Sequence, residues 1–291
     1  MTQDSLPENK KTKQISSGIR KSDFKYHFYL ESFGVKIGVS SNAPEAIEAL
    51  KKAVEIYLPD SFTEIAETAA EHKFLFIWNE NKKDTLLKDG EKIFHRELRE
   101  TSVDSAASRI RLTVAEFAAD RVFIHAGVVS RKGKAVILPG RSFYGKTTLT
   151  AALLKRGAIY YSDEYAILDA DGFLHPFPKM LSLRGDDAVN HRKQTDYPVE
   201  QLGSTAGTEK IRVGAVLITE YKEKARWKPV VLTPAQGIIE ILRHAVAIRQ
   251  NPQFTLGVLN KIAADALFVK SKRGDVSESA DLILKFIDDN L

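Results

Sequence analysis

The sequence predicts an α/β protein: a mixed-sheet domain over residues 121–291, preceded by a smaller α/β domain over residues 23–120. Three observations carry that expectation. Short apolar runs rich in β-branched and aromatic residues alternate with stretches of helical periodicity along most of the chain. One such run, Lys134–Pro139, passes through a glycine-bounded loop into a helix-forming stretch, residues 148–156, closed by Gly157. A second apolar run, residues 159–168, follows at once, which is the strand–helix–strand alternation of an α/β sheet.

The elements follow in order. Residues 1–22 are polar and aperiodic and read as a disordered tail. Residues 26–39 alternate around Gly34, as one bulged strand or a tight hairpin. Asn42 and Pro44 mark a helix start, Ile47, Leu50, Val54 and Tyr57 share one face, and Pro59 lies past the end. Residues 73–78 form a strand, with residues 92–97 as the expected neighbour. Val103, Ala106, Ala107, Ile110, Val114 and Phe117 trace a long amphipathic helix. Beyond residue 168, the prolines among residues 172–180 suggest a punctuated strand pair. Residues 185–210 are polar and glycine-bearing, a length of loop that is either functional, as a substrate lid, or disordered. A buried strand (213–221), helices (234–248 and 254–264), a strand (266–269) and a helix opening at Asp275 complete the chain.

Composition excludes several classes. Hydrophobic residues are 43% of the 291, enough for a sizeable core. No run of about 18 apolar residues is present, so no membrane-spanning helix is expected. The N-terminus lacks the apolar stretch of a secretory signal. There is no cysteine, so disulfides and thiolate chemistry are excluded. The net charge of +5 is concentrated in the first 22 residues, which carry Lys10, Lys11, Lys13, Arg20 and Lys21 against Asp4 and Glu8. A near-balanced remainder argues against a nucleic-acid protein. The expectation is a cytoplasmic protein with no nucleic-acid or membrane partner, and with homo-oligomerisation left open.

Chemistry concentrates in the glycine-bounded loop. Gly140, Arg141, Ser142, Phe143, Tyr144, Gly145, Lys146 and Thr147 match G-x-x-x-x-G-K-[ST], with Thr148 continuing into the helix. The two glycines let backbone N–H groups turn inward, and the helix adds its positive end. Lys146 brings a mobile charge for terminal phosphates and Thr147 a hydroxyl for Mg²⁺. The competing account is a chance match on an ordinary strand–turn–helix. Asp163 and Glu164 end the following strand, where a metal ligand and a general base belong in such sheets. His125 lies on the preceding apolar run and either orients Asp163 or a phosphate, or is a satisfied core histidine. Lys179 and Arg184 follow the acid pair, and Lys270, Lys272 and Arg273 cluster later. Each set is either a phosphate contact or a solvated edge. His27, His72 and His95 have no ligand spacing.

The run His125-Ala-Gly-Val-Val, a Lys-Gly turn, the loop, Leu154-Lys-Arg-Gly157 and Ser162-Asp-Glu164 resembles the catalytic domain of HPr kinase/phosphorylase and its kinase relatives. The resemblance is strongest over residues 121–170. It implies a nucleotide-binding P-loop domain with a fold like that of PEP carboxykinase. It further implies a kinase that uses ATP or a similar nucleotide with Mg²⁺ and phosphorylates a hydroxyl, a serine by preference. The acceptor would be a protein, a peptide or a small molecule. In the family, the residue matching Asp163 takes the hydroxyl proton and the next acid, here Glu164, helps hold Mg²⁺. Phe143 stands where the family usually has a third glycine. Ser182 stands where it has an acid before Arg184-Gly185, so the resemblance does not extend to the reverse, phosphorylytic activity or to HPr as acceptor. The alternative from another class is a nucleotide-binding regulatory module with little turnover.

Overall fold

A computed structural model describes residues 21–79, 83–96, 99–140, 145–184 and 194–291. The expected tail up to residue 20, loop residues Arg141, Ser142, Phe143 and Tyr144, and residues 185–193 of the polar stretch lie outside these. The chain folds as two units. One holds the described residues up to Tyr57 with Ser61–Arg111; the other holds Leu58–Asp60 and Leu112–Leu291. The sequence puts the boundary near residue 120.

In the first unit, β1 (Tyr26–Ser32) and β2 (Val35–Ser41) form a hairpin. Its turn has two successive left-handed residues, Phe33 and Gly34, the geometry that matches strand twist. Helix α1 (Pro44–Tyr57) buries Ile47, Leu50 and Val54. Asn42, expected to cap it, exchanges two hydrogen bonds with the Trp78 backbone. Strands β3 (Thr63–Glu64), β4 (His72–Ile77), β5 (Asp84–Lys88) and β6 (Glu91–Arg96) complete a sheet of order β3-β1-β2-β4-β5-β6. Strand β6 therefore neighbours β5, and not β4 as the sequence suggested. Helix α2 (Arg99–Phe117), which belongs to this unit up to Arg111, buries Val103, Ala106, Ala107 and Ile110; of its residues in the second unit Val114 is buried and Phe117 exposed.

The second unit opens with β7 (Val122–Arg131) and β8 (Lys134–Pro139), then α3 (Lys146–Leu154), β9 (Ile159–Ser162), β10 (Tyr165–Leu168) and β11 (Phe173–His175). A separate hairpin, β12 (Leu181–Arg184) with β13 (Gln194–Tyr197), occupies part of the expected loop. Then come β14 (Ile211–Tyr221), β15 (Val230–Val231), α4 (Pro234–Leu242), α5 (Pro252–Asp265), β16 (Leu267–Arg273) and α6 (Val276–Asn290). The sheet runs β11-β10-β7-β8-β14-β16-β15, with β9 also pairing β7. Strands β8, β14 and β16 are mutually parallel, and β9 and β10 run antiparallel to β7 as β8 does. The carboxyl ends of β8, β9, β14 and β16 thus emerge at the same end of the sheet.

Helices cover both faces, which is why β8 reads as an unbroken apolar run. Val136 and Leu138 pack with α3 and α6 through Leu149, Leu153, Ile283 and Ile287. Ala135 and Ile137 point the other way, to Ile241, Val258, Leu259 and Ile262 of α4 and α5. Thr233 closes a capping box with Gln236 and starts α4. The helix stops at Leu242, short of the expected residue 248, because Ala245 bridges to Ile124 and the His244 carbonyl accepts the His125 N–H. Residues 172–180 supply one three-residue strand, not a pair. No helix among the described residues is long and apolar enough to cross a membrane.

Candidate active site

The 140–147 loop leaves β8 at Pro139, and Gly140 N–H donates to the His125 carbonyl at 3.4 Å. Gly145 precedes α3 in the left-handed conformation, φ 72°, so Lys146 and Thr147 stand in the first turn of the helix. That places the lysine and two threonines, Thr147 and Thr148, where the helix's unpaired N–H groups and positive end lie.

The acid pair arrives from β9. Here the strand breaks: β9 ends at Ser162 and β10 begins at Tyr165, both paired to β7. The Ser162 hydroxyl accepts from the Glu164 and Tyr165 N–H groups, both at 3.1 Å, and holds the break. Neighbouring residues in a continuous strand face opposite ways. With the strand broken, Asp163 and Glu164 both act on Lys146. Burial pulls the Lys146 ammonium below its usual range, and the charges of Asp163 and Glu164 partly restore it.

Burial pushes the Asp163 carboxyl up to about 7. A hydrogen bond from the Thr147 hydroxyl and the Lys146 charge oppose that rise, Glu164 adds to it, and Lys179 opposes it. Asp163 Oδ1 is buried with no hydrogen-bond partner among the described residues. It lies over Gly127 of β7, where an added Cβ would come within 3.4 Å of it. The site thus gathers Lys146, Thr147, Asp163, Glu164 and Lys179. Its two carboxylates and one hydroxyl are hard oxygen donors close enough to influence one another and an ammonium.

His125 sits beside this group on β7, opposite Tyr165, with ring centroids 6.2 Å apart. Its backbone joins the start of the loop to His244. Three other histidines have local partners: His27 with Ser40, His95 with Thr85, and His72 with Asp89. Ser182 bonds to Asp196 across the β12–β13 hairpin.

The sequence does not reveal the role of Arg273. It lies within β16 and is only 2% exposed. Its Nη2 donates to the Gly145 carbonyl at 2.8 Å, and a Cβ on Gly145 would collide with it. Lys270, three residues away, is bound instead to Glu240 at 2.7 Å. Only Arg273 of the late basic cluster reaches the loop glycine, and 128 residues separate the two. No local signal could have found that pairing.

Comparison with protein-family models gives no match for this chain, and comparison with curated proteins gives none either.

Proposed function

We propose that the chain is a nucleotide-dependent phosphotransferase of the HPr kinase-like P-loop type, acting on a hydroxyl. The observation that carries this is the meeting of Lys146 and Thr147, at the head of α3, with the Asp163 carboxylate. Phosphoryl transfer asks a protein for positioning and charge neutralisation. In this reading the N–H groups opening α3 and the Lys146 ammonium hold the terminal phosphates of ATP or a similar nucleotide. Asp163 accepts the proton of the acceptor hydroxyl as its oxygen attacks the terminal phosphorus, the bond from that phosphorus to the bridging oxygen breaks and the nucleoside diphosphate leaves; the raised pKa of Asp163 suits a group that must take a proton near neutrality.

The donor set fits Mg²⁺. Among the described residues no group of three or more His, Cys, Asp or Glu could hold a metal alone. Mg²⁺ is ordinarily held by one or two carboxylates together with substrate phosphates and waters. Thr147 and Glu164 would hold it, and next to them the buried Oδ1 of Asp163 has no hydrogen-bond partner among the described residues. When bound, the ion would supply charge neutralisation at the transferring phosphoryl group. The acceptor class is a protein, peptide or small-molecule alcohol, and the first unit is assigned to recognition or assembly.

The test is nucleotide-dependent thermal stabilisation. A ligand at 100 times its Kd adds about 2.7 kcal/mol to a native state. Wild-type protein should show this rise with ATP and Mg²⁺, and Lys146→Ala, still folded, should lose it. Wild-type affinity in Lys146→Ala would refute the reading. Turnover of an acceptor hydroxyl separates a kinase from a binding module.

A further inference from the structure

Next to the loop, the ends of β14 and β16 carry a second feature. Residues 222–228 leave β14, turn at Lys222–Ala225 and return along β16 to form a pocket of about 510 Å³. It is lined by Lys222, Lys224, Arg226, Lys228 and Lys272, with Glu223 the single acid. Lys224 pairs with Glu223 at 3.7 Å. Lys222, Arg226, Lys228 and Lys272 have no ion-pair partner among the described residues. In the same unit Lys270 is paired with Glu240, Arg131 with Asp288 and Arg156 with Asp281.

The segment is firmly anchored. Trp227 is buried in the core that contains Val269 and Leu284. Lys228 N–H donates to Ser271 Oγ at 2.9 Å, and Lys222 N–H to the Arg273 carbonyl at 2.9 Å. Gly274 lies so close beneath Ala225 that any side chain there would strike its carbonyl. The cations are therefore presented on a fixed frame, and Lys272 adjoins Arg273, whose guanidinium holds Gly145.

We propose that this pocket docks a carboxylate-rich peptide segment of the phosphate acceptor, beside the loop that would carry the donor. The inference rests on the phosphotransfer reading for the word acceptor, though not for the anion site itself. Two features favour scattered carboxylates over a bound phosphate. Phosphate sites draw on backbone N–H groups. Here the N–H groups of Lys222, Ala225 and Lys228 are already taken by protein acceptors. That leaves four lysine ammonium heads, which act as point charges, and one guanidinium, Arg226, at separate positions along the rim. Such a rim suits an extended chain with several acids. It steers the encounter electrostatically and weakens with salt.

The experiment uses the full chain and a fluorescein-labelled hexaglutamate peptide, followed by fluorescence anisotropy at low and high salt. The comparison protein carries Lys222→Gln, Lys224→Gln, Arg226→Gln and Lys228→Gln together, all at exposed positions. Wild type should bind the peptide, and the variant should bind it about tenfold or more weakly, the effect of losing roughly 1.4 kcal/mol. The variant should keep its thermal midpoint and its stabilisation by ATP and Mg²⁺. No binding by wild type, or equal binding by the variant, would overturn the proposal. A single-stranded oligonucleotide of equal charge binding more tightly than the peptide would overturn it in favour of nucleic acid. Loss of ATP stabilisation in the variant would reassign the pocket to the donor. If wild type binds hexaglutamate without any stabilisation by ATP, the phosphotransfer reading fails and the acceptor role is overturned with it.

Discussion

Replacing Gly127 by alanine tests how closely β7, α3 and the acid pair are fitted together. A methyl group at Gly127 would stand 2.5 Å from Thr150 Oγ1, 3.4 Å from Asp163 Oδ1 and 3.8 Å from Leu138. The first distance is well inside contact, so either Thr150 or the helix must shift. Thr150 is fully buried, and its hydroxyl has no hydrogen-bond partner among the described residues. Overpacking of this kind costs about 1–3 kcal/mol. In a folded unit of this size each kcal/mol moves the thermal midpoint by about 2–4 °C, so Gly127→Ala should melt roughly 2–12 °C lower. Thr150→Ala removes the offending atom and leaves Asp163 Oδ1 as the nearest neighbour, at ordinary contact distance. The double variant should therefore recover most of the loss. Thr150→Val keeps a methyl in that position and should not rescue. Scanning calorimetry of the four proteins measures the coupling directly. An unchanged midpoint for Gly127→Ala, or a deficit that Thr150→Ala leaves intact, would refute this account of the packing.

Asp163→Asn should lower phosphoryl transfer about 10²-fold or more with little change in nucleotide affinity, and unchanged turnover on a verified acceptor would remove it as the base. Arg273→Met keeps the apolar bulk and loses the bond to Gly145. A hydrogen bond from a charged group contributes about 1.5–3 kcal/mol, so donor affinity should fall roughly 10- to 100-fold. Arg273→Lys should restore part of it, and a donor affinity equal to wild type in Arg273→Met would contradict the role. The Asp288 carboxyl is held below its usual range by the hydrogen bonds from Arg131, at 2.7 and 2.8 Å. A depressed folded pKa contributes stability above the unfolded value, near 3.9, which is lost as pH falls through the folded value. The difference in thermal midpoint between wild type and Asp288→Asn should hold at neutral pH and shrink below about pH 4; a difference constant with pH would exclude the linkage.

The parts of the fold legible in the sequence are those where local chemistry and global packing agree. Strand β8 lies between two helix layers and shows no alternation, and α3 follows a left-handed glycine. Strand β5 is not among the elements read from the sequence; it opens with Asp84, a residue type depleted in strands. In the fold Asp84 is buried, accepting from Asn79 N–H at 2.9 Å and Ser102 Oγ at 2.7 Å. The end of α4 was missed because helical periodicity continues past Leu242, while the chain there is drawn into a bridge with Ile124. At the site, spacing singled out Lys146, Thr147, Asp163 and Glu164. The break that lets both acids face Lys146 depends on the Ser162 hydroxyl, which the sequence alone does not distinguish from an ordinary strand serine. The basic pocket was not read from the sequence: four of its cations lie in residues 222–228, and its fifth, Lys272, comes from another strand.

The bond from Arg273 to Gly145 also sets an order of assembly. The glycine lies at the start of α3 and its partner on the last strand, so the contact closes only after β14 is in the sheet and β16 has docked alongside it. Until then the 140–147 segment holds its sequence motif without the guanidinium that grips it. Contacts of such long sequence separation form late, because the chain must close a large loop before they contribute. A ribosome-bound chain that has emerged only as far as α5 would thus carry the whole motif without the Arg273 contact. If the loop binds a nucleotide as proposed, that capture would be a property of the finished sheet.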